Sequence, residues 1–148
     1  MSYKLAASSW GQEELDAIQR VIKSEQFSMG TEVAAFEEEF ADWHNLKYGV
    51  MVNSGSSANL ISIASYFYKN KNPLKPGDEV IVPAISWSTT YYPLQQYGLK
   101  LRFIDVEIDS FNIDVTKLED ALTPQTKIIV AVSILGNPAA LDQIRSFA

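Results

Sequence analysis

The run KIIVAVSIL, residues 127–135, constrains the fold most, because apolar and β-branched residues occupy both of its alternating faces. Such a strand has to be covered on both sides, which is the situation of a central strand in a sheet flanked by helices. EVIVPA (79–84), after the turn KPGDE, and KLRFIDVE (100–107) read as further strands, and YGVMV (48–52) as a short one. Helical spacing recurs between them: Leu15, Ile18 and Ile22 over Gln12 to Lys23; Val33, Phe36, Phe40 and Trp43 over Thr31 to Trp43; Leu60, Ile63, Ala64 and Phe67 from about Ser57 to Lys69. A short helix, TKLEDAL, follows Asp114. Strands alternating with helices predict an α/β fold with a mostly parallel sheet, whose ligands sit beyond the C-terminal ends of the strands. No repeat, low-complexity segment or internal domain boundary is visible in the sequence.

Composition narrows the class of partner. With 47% hydrophobic and 20% charged residues this is an ordinary globular sequence. Its formal charge of −6, without a basic run, gives no electrostatic reason to expect nucleic acid or an anionic membrane. The absence of cysteine removes disulfides and thiolate-bound metal and fits a reducing compartment, so a cytoplasmic location is expected. No apolar run has the length of a membrane span. The last helix, LDQIRSFA, keeps its apolar spacing at Leu141, Ile144 and Phe147 with no stop signal, so the chain is expected to be a fragment of something longer.

The sharpest chemical signal is Asn53-Ser54-Gly55-Ser56-Ser57-Ala58-Asn59, between an apolar run and a helix. Amides at a helix start point outward together, the helix dipole favours an anion, Gly55 admits close approach, and Ser56 and Ser57 add hydroxyls. The alternative is a serine cap on a glycine turn. Neither GxxxxGK[ST] nor GxGxxG is present, which disfavours a nucleotide triphosphate or a dinucleotide. His44, between Trp43 and Asn45, has no partner at metal-ligand spacing and reads as structural or exposed. Trp87, in Pro83-Ala84-Ile85-Ser86-Trp87-Ser88-Thr89-Thr90, stands just past a strand, where its ring would either stack on a planar ligand or belong to core or an interface.

NSGSSANL, VPAISWSTT, RFIDVEIDSFNID and SILGNPAALDQI occur in an order and spacing that resemble the DegT/DnrJ/StrS sugar aminotransferases, from about Phe27 to the end. The resemblance implies a three-layer αβα sheet fold, that of type I pyridoxal phosphate enzymes, left incomplete here. Residues 1–148, with the helices of 12–43, would form the N-terminal part of the large cofactor-binding domain, its remainder and a small C-terminal domain being absent. It further implies pyridoxal 5′-phosphate or pyridoxamine 5′-phosphate as cofactor, a nucleotide-linked keto sugar as substrate, glutamate as an amino donor, and a homodimer.

By the same resemblance Gly55 and Ser56 look like the phosphate-binding pair, Ser57 like a weaker third contact, and Trp87 like the residue stacked on the ring. Met29 and Gly30 in FSMG become candidate sugar contacts, with a plain helix-to-helix turn as the alternative. Asp105, Asn112 and Asp114 match family positions, but turn formation and helix capping account for them. Asn137-Pro138 resembles the family's loop at a strand end near the cofactor, with a structural role as the alternative to direct contact. The acid that pairs with the pyridine nitrogen and the residue that links covalently to the cofactor would lie past residue 148, so no catalytic residue is expected here, and the isolated chain is expected to be inactive. Within the family, NSGSSANL and ILGNP look like the branch that removes the C3 hydroxyl of a 4-keto-6-deoxy sugar, as in deoxysugar and lipopolysaccharide biosynthesis. The alternatives are amino transfer and, in another class, a non-catalytic nucleotide-sugar-binding domain.

Overall fold

The computed structural model describes residues 7–148. It divides into two compact units, Met1–Val52 and Asn53–Ala148, a division that no change of composition announces.

In the first unit, helix α1 spans Gln12–Ser24 and α2 spans Thr31–Trp43. The Glu14 carboxylate accepts the Gly11 amide at 2.6 Å, and Glu13 and Glu14 complement the positive end of α1. The chain leaves α1 through Glu25 in the left-handed region (φ 55°). On α2, Phe36 stacks on Phe40 and Phe40 lies 4.5 Å from the His44 ring.

The segment YGVMV is not a strand. A ladder needs a neighbour, and among the described residues none pairs with it. Its backbone is taken up by α2 instead, the Met51 amide donating to the Glu37 carboxylate at 2.8 Å. Gly49 lies so close to α2 that an added Cβ would stand 2.6 Å from the Glu37 carbonyl oxygen. Gly49→Ala is therefore expected to cost about 1–3 kcal/mol through forced backbone displacement. A thermal melt checks this, and an unchanged midpoint would show that the segment does not pack there.

The second unit carries α3 (Gly55–Phe67), β1 (Glu79–Pro83), α4 (Ser88–Gln96), β2 (Lys100–Ile104), α5 (Leu118–Ala121, entered through a 3-10 turn at Val115–Lys117), β3 (Thr126–Ile129) and α6 (Leu141–Phe147). The three strands are parallel in the order β2-β1-β3. Alternation along β1 explains why its sequence is apolar from Val80 onward. Val80 and Val82 pack with Leu74, Leu94, Leu99, Ile63 and Phe67 on the side of α3 and α4. Ile81 packs with Ile104, Ile113, Leu118, Ala121 and Ile144 on the side of α5 and α6. Burying each such side chain contributes roughly 1.5–3 kcal/mol. The unit is thus an αβα sandwich on a parallel sheet, as the strand and helix pattern predicts.

Two details differ from the sequence reading. Strand β3 is shorter than the apolar run 127–135: Thr126–Ile129 lies in the ladder, the Val130 amide adds a last bond to the Ile81 carbonyl at 2.9 Å, and the chain then runs on as loop. The stretch after β1 is helix α4, which its Ser, Thr and Tyr content and internal Pro93 concealed. No helix among the described residues is long and apolar enough to cross a membrane.

Candidate functional site

Helix α3 opens on the small-residue loop, with Ser54 in extended conformation as its N-cap. The Ser54 hydroxyl accepts the Ser57 amide and donates to the Ser57 hydroxyl, both at 3.2 Å. Ser57 in turn donates its hydroxyl to the Asn53 side-chain oxygen at 2.6 Å, and the Ala58 amide bonds the Ser54 carbonyl. The third and fourth amides of the helix are thereby occupied. Among the described residues the amides of Gly55 and Ser56, and the Ser56 hydroxyl, have no partner.

Nothing lies within 4 Å of a Cβ built on Gly55, so the space before these donors is open. Two free amides, a free hydroxyl and the positive end of a 13-residue helix suit a phosphate monoester. Ser57 sits differently from Ser56, because its amide and hydroxyl both serve the cap.

Trp87 is the N-cap of α4 and its side chain is 77% exposed, so it is not part of this unit's core. The turn that carries it is pinned on both sides. Ser86 and Thr90 hydroxyls meet at 2.8 Å, and the Tyr91 phenol donates to the Pro83 carbonyl at 2.8 Å. Burial pushes the Tyr91 phenol above its ordinary pKa. Asn59 on α3 donates to the Thr89 carbonyl on α4 at 3.2 Å, setting the early turns of the two helices side by side. Ser56, Ser57, Leu60, Thr89 and Tyr92 share a groove of about 180 Å³ there.

Loops past β2 and β3 meet at Asn112, which is 4% exposed. Its amide nitrogen donates to the carbonyls of Asn137 and Pro138 at 3.1 and 3.0 Å, and its oxygen accepts the Ile134 amide at 3.2 Å. Asn137 returns a bond to the Ser110 carbonyl. Asn112 is thus a buried clamp on the ILGNP loop rather than a turn or cap residue. That loop carries Leu135 in the left-handed region (φ 50°) and 97% exposed. Asp114 does cap, accepting the amide and hydroxyl of Thr116, and chiefly that hydroxyl holds its carboxyl below the ordinary value. Asp105 pairs with Lys117 at 3.5 Å.

Met29 and Gly30 belong to the first unit. Met29 is left-handed (φ 49°) and 93% exposed, and Gly30 is the N-cap of α2, with Gln26 close against it. A separate hollow of about 650 Å³, lined by Lys69, Lys75, Asp78 and Lys127, opens where β1 and β3 begin, opposite the strand ends that carry ligands in parallel sheets. Asn59 and Asn112 were not singled out as site residues in the sequence. Asn59 does stand one turn beyond Gly55, but nothing local indicates its partner thirty residues on.

The sequence matches the DegT/DnrJ/EryC1/StrS aminotransferase family over residues 8–148. The chain belongs to that family. This DegT/DnrJ/EryC1/StrS chain is 54% identical over 144 residues to GDP-4-keto-6-deoxy-D-mannose 3-dehydratase of Yersinia pseudotuberculosis, covering 97% of itself and 37% of that protein. It is 33% identical over 138 residues to a UDP-2-acetamido-2-deoxy-3-oxo-D-glucuronate aminotransferase of Pseudomonas aeruginosa, covering 92% of itself and 36% of that protein. Among solved structures, it superposes on E. coli GDP-4-keto-6-deoxy-D-mannose-3-dehydratase with bound hydrated PLP at a TM-score of 0.92 and 52% identity, covering 98% of itself and 37% of that chain. The fold is therefore that of the family, and the chain spans little more than a third of the length of the curated relatives it matches. The family match begins nearly twenty residues before Phe27, so α1 lies inside it.

Proposed function

We propose that the full-length protein removes the C3 hydroxyl of a nucleotide-linked 4-keto-6-deoxy sugar, GDP-4-keto-6-deoxy-D-mannose, using pyridoxal or pyridoxamine 5′-phosphate. The observation that carries this reading is the 54% identity to a dehydratase with that substrate, against 33% to a sugar aminotransferase.

In this reading the Gly55 and Ser56 amides and the Ser56 hydroxyl hold the cofactor phosphate, and charge-assisted bonds supply more of the grip than the helix dipole. Ser57 acts one step back, keeping the cap closed so that the two outer amides point at one place. Trp87 lays a flat face against the ring and excludes water from it, worth about 0.5–1.5 kcal/mol beyond the area buried. When bound, the cofactor supplies an amine and a conjugated ring able to take up an electron pair, the chemistry that loss of a hydroxyl beside a ketone requires. Met29 and Gly30 contact the sugar, glutamate serves as amino donor to the cofactor, and the protein works as a homodimer in the cytoplasm.

The test is the product. Full-length protein given pyridoxamine 5′-phosphate and GDP-4-keto-6-deoxymannose is expected to release a sugar that lacks the C3 hydroxyl, read by mass spectrometry. A stable amino sugar formed with glutamate, and no deoxygenated product, would assign amino transfer instead. Binding of the nucleotide sugar without turnover would assign a non-catalytic domain.

A further inference from the structure

Helix α4 contains Pro93 within its nine residues, and Pro93 is buried beside Leu94. A regular helix would spend the amide of residue 93 on the carbonyl of Thr89, and proline has none to give. That carbonyl accepts instead from the Asn59 side chain of α3, at 3.2 Å. The bond Pro93 removes from α4 is therefore replaced by one between helices. Its two ends are well placed for the site: Asn59 stands one turn past Gly55 and Ser56, and Thr89 two residues past Trp87.

From this geometry we infer that Asn59 is a positioning residue, holding the phosphate-binding start of α3 in register with the ring-stacking start of α4 through the carbonyl that Pro93 leaves free. The inference rests on the assignment of Gly55, Ser56 and Trp87 to the cofactor. The phosphate is joined to the ring by a short CH2–O link, so the cup and the tryptophan must stay within the narrow range of separations which that link spans to engage both. A single side-chain bond between the two helices sets that separation without itself touching the cofactor.

The experiment measures pyridoxal 5′-phosphate affinity, the induced circular dichroism of the bound ring and the melting temperature, all on full-length protein. Asn59→Ala and the isosteric Asn59→Asp, which lacks a donor, are each expected to weaken affinity about threefold to tenfold and to diminish the induced signal. Adding Pro93→Ala to Asn59→Ala gives α4 an amide for the Thr89 carbonyl but does not rejoin the helices. Affinity in that double variant is expected to stay low whatever its melting temperature. Native affinity in the double variant, or in either Asn59 variant alone, would overturn the inference while leaving the cofactor site standing. No binding by the unsubstituted protein would overturn the site and the inference together.

Discussion

Asn112→Asp is expected to destabilise the protein by roughly 2–4 kcal/mol, more than Asn112→Ala, although it changes one nitrogen to oxygen. The native amide satisfies two carbonyls and one amide of the loop after β3 from a buried position. An aspartate keeps the acceptor for Ile134 but turns its other oxygen toward the carbonyls of Asn137 and Pro138, 3.1 and 3.0 Å from the atom it replaces. Alanine leaves those two carbonyls and the Ile134 amide unpaired but adds no charge. Because the folded site disfavours the ionised form, the introduced carboxyl titrates above its unfolded value of about 3.9. Its penalty is therefore full at neutral pH and shrinks as pH falls through the raised value, where protonation restores a donor. Urea unfolding at pH 7 and pH 5 checks both parts. A loss no greater than that of Asn112→Ala, or one independent of pH, would show that the amide is not clamped as described.

The elements that were legible in the sequence are those whose signal is burial perpendicular to the sheet or the axis. Helix α2 ends at Thr31 and Trp43, as its spacing predicts, and β1 reads as apolar on both faces because Val80 and Val82 face one helical layer and Ile81 the other. What was not legible is lateral pairing. The run 127–135 has the face pattern of a covered strand, but that pattern does not say where pairing in the plane of the sheet stops, so a strand of Thr126–Ile129 was read across nine residues. YGVMV fails for the same reason, its amide going to Glu37. Helix α4 was hidden because Pro93 and the run of Ser, Thr and Tyr argue against a helix locally, while its support comes from Asn59 on another helix.

At the candidate site, small residues before an apolar helix marked the helix start that leaves the Gly55 and Ser56 amides free, and the position of Trp87 past a strand marked a ring that is exposed. Sequence could not divide the labour between Ser56 and Ser57. Which serine caps the helix and which stays free follows from the hydrogen bonds of Ser54 and Asn53. Asn112 was invisible as a clamp, because its partners lie more than twenty residues away.

Ser56→Asp is expected to abolish most cofactor binding. The free Ser56 hydroxyl becomes a carboxylate beside the amides that would receive the phosphate, and it competes for them as an anion. It costs the phosphate at least one charge-assisted hydrogen bond and adds like-charge repulsion, together about 3 kcal/mol or a hundredfold in affinity. The helix itself gains an acidic residue in its first turn, so folding is not expected to suffer. Loss of affinity with an unchanged melting temperature is the result to look for.

The claim that the start of α3 grips a phosphate is tested most directly by comparing pyridoxal 5′-phosphate with pyridoxal, which lacks the phosphate, in absorbance titrations of the full-length protein between about 320 and 430 nm. The phosphate ester is expected to bind at least about a hundredfold more tightly to the native protein, and the preference is expected to collapse in Ser56→Asp. Equal affinity for the two compounds, or a preference that survives Ser56→Asp intact, would contradict the account.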